Sequence, residues 1–110
     1  MLVEAQKEVD KKEANYDKPL QLKLLAIYED DQPIRQQYIS AQKEFGYQSR
    51  QVDSLGKVMM YRDSINLIKV TEILDKYGWV GTDKVGETAN QTLFLVIQHS
   101  DLKTQQKYLQ

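Results

Sequence analysis

The pattern of hydrophobic positions changes sharply at Pro19. From there apolar residues recur at alternating steps of four and three, which is the spacing of one face of a long α-helix. The members of this stripe are Leu20, Leu24, Ile27, Ile34, Tyr38, Ala41 and Phe45, and Asp31 occupies one position within it. Proline suits a first helical turn and glycine a helix end, so we predict a helix from Pro19 to Gly46.

Pro33 lies inside this predicted helix. Because it cannot donate a backbone hydrogen bond and its ring crowds the preceding turn, we expect a kink or a restart between Asp30 and Gln32. The stripe keeps its phase across Pro33, which favours one kinked helix. Two helices joined at Asp31 are the alternative.

After Gly46 the pattern predicts a weakly ordered stretch, a clear helix and a turn. Tyr47 to Gly56 has little pattern and is typical of a loop or a short helix. Asp63 opens a clear helix that ends at Gly78 and has Leu67, Val70, Leu74 and Tyr77 on its apolar face. We expect Trp79, in the turn that follows, to fold back as a core anchor.

The most apolar run, Leu93 to Ile97, fits either a buried strand or a central helix. Length and the polar residues before it favour a helix within Val85 to Ser100. Asp101 is a suitable N-cap for a last helix over Leu102 to Leu109. The prediction is an all-α fold, a small irregular bundle of about five helices around one core. Residues 1–18 form a polar helix or flexible arm, and residues 19–110 form a single domain.

Composition and charge exclude several classes of protein. A chain of 110 residues builds one core, and a net charge of −1 without a basic stripe argues against binding to nucleic acid. No apolar segment approaches the roughly 18 residues of a membrane span, and no signal peptide begins the chain. We therefore predict a soluble protein, and both a cytoplasmic location and export with the signal removed fit this pattern. Nothing in the sequence indicates an oligomeric state.

Several polar residues stand on helix faces that should be apolar. Asp31 lies within the first stripe, where it either pairs with Arg35 one turn later or caps a segment that restarts at Pro33. Asp63 and Asn66 align with the apolar face of their helix, although an N-cap would also explain Asp63.

Gln98 and His99 follow the most apolar run in the chain. As the only histidine, His99 is either a general acid or base or a hydrogen-bonded structural residue. With one histidine and no cysteine, a zinc site would need carboxylates for its other ligands, so we predict no metal and no cofactor. A magnesium site held by carboxylates stays open as an alternative, although the spacing of the carboxylates does not show them converging. The usual phosphate-loop, dinucleotide and hydrolase motifs are also missing.

Several segments together resemble a known family. In chain order they are Asp31-Gln32-x-x-Arg35, Asp63-x-x-Asn66, Ile73-Leu74-Asp75-Lys76-Tyr77-Gly78-Trp79, Val85-Gly86, Val96-Ile97-Gln98-His99-Ser100-Asp101, Gln105 and Tyr108-Leu109. Over about Leu20 to Gln110 the chain is similar to DUF6624, a family of uncharacterised bacterial proteins, with the Gly-Trp and Gln-His pairs as its more specific signatures. The resemblance implies no activity, but the family's motifs coincide with the residues selected by helical phase.

Two features depart from the family's pattern. Val80 stands where a proline often follows Gly-Trp, which bears on the rigidity of the turn. Similar proteins also continue past the segment that matches Tyr108-Leu109. The resemblance therefore implies that the chain is a truncated piece of a longer protein.

Three functions remain open from the sequence. The first is a helical module that binds a small ligand or a protein partner through a polar pocket. The second is a hydrolase-like enzyme with His99 as general base and Arg35 stabilising negative charge, in which Asp31 or Asp63 either orients His99 or holds a metal. The third is a structural domain without a site. The candidate site residues are Asp31, Arg35, Asp63, Asn66, Gln98 and His99.

Overall fold

The computed structural model describes residues 2–109. Its helices are α1 (Leu2–Ala14), α2 (Lys18–Phe45), α3 (Arg50–Tyr77), α4 (Thr82–Val85), α5 (Glu87–Gln98) and α6 (Leu102–Tyr108). All the secondary structure of these residues is helical, which confirms the all-α prediction. The described part has six helices instead of about five, because the N-terminal segment is helical and a one-turn helix precedes α5.

The two longest helices, α2 and α3, form an antiparallel hairpin. Arg35 pairs with Asp63, and the ring of Tyr38, one turn further along α2, lies next to Gly56, which is earlier in α3. Helix α5 packs against both long helices. The buried apolar residues between them form one core: Leu20, Leu24, Ile27, Val70, Ile73, Leu74, Val80, Val85, Ala89, Leu93, Val96 and Ile97.

Helix α2 is continuous through Pro33. Asp17 caps its start by accepting a hydrogen bond from the backbone N–H of Leu20. The one-helix prediction is confirmed, and the alternative in which Asp31 caps a second helix is wrong. Ile27 and Ile34 are buried on the same face before and after the proline, so packing preserves the phase of the helix despite the lost backbone bond.

Helix α3 begins much earlier than its pattern suggested. Ser49 is its N-cap and accepts a hydrogen bond from the backbone N–H of Val52, so Asp63 lies in the middle of the helix. The N-cap predicted at Asp63 is therefore wrong, and most of the stretch predicted as a loop or a short helix, Tyr47 to Gly56, is the start of this long helix. Gly56, predicted at the end of a loop or a short helix, lies inside α3, where a Cβ atom would lie 3.2 Å from the Tyr38 ring. Close packing against α2 overrides the weak helix propensity of glycine.

Trp79 is not the core anchor that the sequence predicted. Its ring is partly exposed, and its Nε1–H donates to the backbone carbonyl of Tyr108, while Val80 is buried in its place. The Tyr108 hydroxyl donates to the Asp75 carboxylate at 2.8 Å, and this bond raises the pKa of Tyr108. Together the two hydrogen bonds tie the end of α6 to the end of α3.

Helix α5 confirms that the most apolar run of the chain is helical. Ala89, Leu93, Val96 and Ile97 are buried, and the helix ends at His99 as its C-cap. Asp101 then accepts a hydrogen bond from the backbone N–H of Thr104 and caps α6, as predicted. Among residues 2–109, no helix has both the length and the apolar character needed to cross a bilayer.

Candidate functional site

Four of the predicted polar residues meet where α2, α3 and the end of α5 come together. Helix α2 supplies Asp31 and Arg35, α3 supplies Asp63, and His99 closes α5. Each of the first three stands on the inward face of its helix because the apolar stripe continues on both sides of it. The inward positions therefore place charged groups from three helices next to one another.

Asp31 is the centre of this cluster and is only 2% exposed. Its Oδ1 lies 3.2 Å from Nδ1 of His99, and its Oδ2 accepts a hydrogen bond of 2.7 Å from Nε2 of Gln32. Nε of Arg35 lies 3.5 Å from Oδ1, as an ion pair without a hydrogen bond. All three neighbours present hydrogen-bond donors or positive charge to the buried carboxylate.

The pKa of Asp31 lies below its usual value. Burial by itself raises this pKa. The hydrogen bonds with His99 and Gln32 lower it, and the electrostatic influence of His99 and of the Arg35 guanidinium acts in the same direction. The net lowering keeps Asp31 ionised at neutral pH, so it can hold a proton donor or a cation.

Arg35 connects α2 to α3. Its Nη2 donates to both carboxylate oxygens of Asp63, at 2.6 and 2.7 Å, and its Nη1 lies 3.6 Å from Sδ of Met59. The i,i+4 pairing with Asp31 expected from the sequence is present, but it is the longer of the two carboxylate contacts. The stronger contact is with Asp63 because the long side chain reaches across the helix interface.

A small cavity of about 100 Å³ opens beside the cluster. The described residues that line it are Asp31, Asp63, Ser64, Leu67, Val96, His99 and Ser100. At roughly 30 Å³ for each water molecule in the liquid, the cavity has room for about three waters. It is therefore large enough for an ion with a partial hydration shell or for a very small molecule.

The polar lining of this cavity consists mainly of acceptors. Asp31 and Asp63 contribute carboxylates, and His99 contributes its imidazole. The hydroxyls of Ser64 and Ser100 donate to backbone carbonyls of their own chain segments, which leaves their oxygens free to accept. Arg35 is not among the lining residues described, so its charge offsets the carboxylates from outside the cavity.

The imidazole of His99 has two different environments. Nδ1 faces the Asp31 carboxylate, and no described residue forms a hydrogen bond with Nε2. When Nδ1 carries the proton, it donates to Asp31 and leaves Nε2 with a free lone pair. This arrangement suits an acid–base group, whereas the other tautomer, with its proton on Nε2, turns the lone pair of Nδ1 toward Asp31.

Asn66 and Gln98, the other two candidates, do not line the cavity. Asn66 is only 1% exposed, and its Nδ2 has no hydrogen-bond partner in the described part of the chain. Gln98 is exposed at the last turn of α5, where its backbone carbonyl accepts from Gln105. Helical phase thus correctly identified Asn66 as a buried polar residue, but it did not show that the side chain lies away from the cavity.

Sequence reasoning did not select Gln32, Ser64 or Ser100. Each is the immediate neighbour of a selected residue, and each either bonds to the cluster or lines the cavity. Adjacent residues on a straight helix point about 100° apart, so phase analysis assigns them to different faces. For Gln32, the sequence did contain a signal: its side chain is long enough to reach the carboxylate of the adjacent Asp31.

Three groups in the cluster could hold a metal ion. Asp31, Asp63 and His99 each offer one ligand atom, and these atoms lie within 4.8 Å of one another. They belong to α2, α3 and the C-cap of α5. Their separation along the chain explains why spacing in the sequence did not show this convergence.

Comparisons with known proteins identify one family. Searches of curated proteins and of solved structures give no match. Residues 18–109 match DUF6624, a family of unknown function. This match covers α2 to α6 and includes the four residues that form the cluster. The chain therefore belongs to the DUF6624 family.

Proposed function

We propose that this domain is a helical module that binds a small, positively charged ligand in the cavity beside Asp31, Asp63 and His99. The observation that carries the proposal is a cavity whose polar lining is made of acceptors. Drug-sized and cofactor ligands occupy about 300–1,000 Å³, well above the space of about 100 Å³ present here. The size favours an ion or a molecule of a few heavy atoms.

The charge of the site favours a cation over an anion. Two carboxylates face the cavity, whereas the guanidinium of Arg35 lies behind them and is bonded to Asp63. An anion in the cavity would meet both carboxylates in a partly buried environment, where like charges repel more strongly than in water. The position of Arg35 therefore supports charge compensation instead of recognition of an anionic ligand.

A titration followed by NMR tests this proposal. Methylammonium should shift the backbone amides of Ser64 and Ser100 and the imidazole signals of His99, while acetate at the same ionic strength should not. Asp63→Asn should weaken methylammonium binding about tenfold or more, because the ionised acceptor of the ammonium group becomes a neutral amide. Asp53→Asn, which removes an exposed carboxylate from the same helix, is the control and should bind normally.

Two results would contradict the proposal. One is the same response to acetate and methylammonium at these three residues. The other is unchanged binding in the Asp63→Asn variant, which would move the cation to another surface. A response to neither ion, nor to a metal ion, would favour the view that the cluster only fixes the packing of α2, α3 and α5.

One observation favours acid–base catalysis as a second candidate function. The Nδ1–Asp31 contact of 3.2 Å orients the imidazole of His99 so that Nε2 can take a proton from a water molecule in the cavity. The deprotonated water oxygen would then attack an ester carbonyl at the cavity mouth. The ester C–O bond breaks as the tetrahedral intermediate collapses, and the His99 imidazolium returns its proton to the leaving alkoxide. This chemistry is hydrolysis with His99 as general base and Asp31 as its positioning partner.

Hydrolysis of p-nitrophenyl acetate tests this second candidate. The wild-type chain should exceed His99→Gln by about 100-fold, the lower end of what a positioned general base contributes. Asp31→Asn should give an intermediate rate, because the imidazole remains but its orientation and tautomer are no longer held. Equal rates for the wild-type chain and His99→Gln would exclude the general-base role for this ester.

A further inference from the structure

We infer that Asp31, Asp63 and His99 form a binding site for one divalent transition-metal cation, with Zn²⁺ as the best fit. The inference rests on the proposed function and names its ligand class. It departs from the sequence-based expectation of no metal, because only the packing of α2, α3 and α5 brings the three donors together.

The distances are close to those of a coordination sphere. Zinc binds nitrogen and carboxylate oxygen at about 2.0–2.2 Å, so two ligand atoms in a tetrahedral site are about 3.4 Å apart. Nδ1 of His99 and Oδ1 of Asp31 are already 3.2 Å apart. All three donors lie within 4.8 Å, so the widest pair must close by about 1.4 Å at most.

The carboxylates are held by partners that leave lone pairs for a metal ion. Gln32 donates to Oδ2 of Asp31, and Arg35 donates to both oxygens of Asp63. A carboxylate has about four lone-pair sites, so each group can keep these bonds and still coordinate an ion. Hydrogen bonds of this kind orient metal ligands in proteins.

The donor set selects the class of ion. Magnesium and calcium prefer sites made entirely of oxygen, whereas imidazole suits zinc and its neighbours in the first transition row. Three protein ligands leave one position of a tetrahedral site open, and a cavity of about 100 Å³ has room for the ion and a water molecule at that position. A metal on Nδ1 requires the His99 tautomer with its proton on Nε2.

Arg35 limits the affinity of this site. Two carboxylates and one guanidinium leave a formal charge of −1 when the imidazole is neutral, so the attraction for a dication is weaker than that of an unopposed pair of carboxylates. The same guanidinium prevents the carboxylates from repelling each other when no ion is bound. It thereby keeps the ligand groups together before binding.

Zinc titration of the full, untagged chain tests the inference. With one histidine and no cysteine in the sequence, every imidazole signal reports on His99 and no thiolate can compete. We expect one zinc ion per chain by calorimetry, with a shift of the His99 imidazole signals during the same titration. Asp63→Asn and His99→Gln should each weaken binding at least tenfold, whereas Asp53→Asn should match the wild-type chain.

The outcomes separate the metal site from the proposed function. No shift of His99 at millimolar zinc, or equal zinc affinity in Asp63→Asn and the wild-type chain, overturns the metal site. If methylammonium still binds under those conditions, the small-cation function stands without the metal. If the variants do not fold, Mn²⁺ added to the wild-type chain decides: selective broadening of Ser64, His99 and Ser100 supports the site, and uniform broadening overturns it.

Discussion

Arg35→Ala should lower the free energy of unfolding by about 2–3 kcal/mol. The change removes the guanidinium from Asp63 and leaves Asp31, which is 2% exposed, without its neighbouring positive charge. Breaking one side of a fully buried ion pair costs about 3–5 kcal/mol. The side chains of Arg35 and Asp63 are 20% and 25% exposed, so water screens part of the interaction and the expected cost is smaller.

Urea denaturation of the wild-type and variant chains measures this effect. Lys57→Ala is the matched control, because Lys57 pairs with Asp53 at 3.1 Å but both side chains are mostly exposed. Its free energy of unfolding should stay within about 0.5 kcal/mol of the wild-type value. If both variants lost the same free energy of unfolding, the contact between Arg35 and Asp63 would contribute no more to stability than an exposed ion pair.

Leu93→Ala should destabilise the fold by about 3 kcal/mol, within the range of 2–5 kcal/mol found for large-to-small substitutions in cores. Leu93 is fully buried on α5, which packs against α2 and α3. Truncation removes apolar area from the core and leaves a cavity that the neighbouring helices fill only in part. The substitution should also loosen the position of His99 in the candidate site, because His99 is the C-cap of the same helix.

The next residue on the helix provides the control. Phe94 has a larger side chain but is 48% exposed, so Phe94→Ala should cost less than about 1 kcal/mol despite the greater loss of volume. Thermal unfolding followed by circular dichroism compares the two variants, and Leu93→Ala should shift the midpoint by on the order of 10 °C. A larger effect at Phe94 would contradict the orientation of α5 described above.

Much of the fold could be predicted from local pattern. The stripe from Leu20 to Phe45 predicted α2 with its boundaries, and Asp101 marked the start of α6. Helix α3 was predicted only in its second half, because Gly56 and the polar residues near it break the pattern. That part of α3 is helical because its backbone packs against α2, and a long-range contact of this kind leaves no periodic signal.

The position of Trp79 likewise could not be predicted from local sequence pattern. A large aromatic ring is expected to be buried, yet its N–H binds the carbonyl of Tyr108 at the surface and Val80 fills the core. Hydrophobicity predicts which side chains gain from burial. It does not predict which of two neighbours in a turn points inward.

The sequence by itself determined which polar residues stand on inward helix faces, because helical phase depends only on position along the chain. It thus selected Asp31, Arg35, Asp63 and Asn66 and placed His99 at the end of the most apolar helix. Only the tertiary structure decided which of them meet. The angle and depth at which α2, α3 and α5 pack brought Asp31, Asp63 and His99 to one cavity, directed Arg35 to Asp63, and left Asn66 without a hydrogen-bond partner at its Nδ2 among the described residues. These contacts join residues 28 and 68 positions apart, and no local rule of sequence specifies such distances.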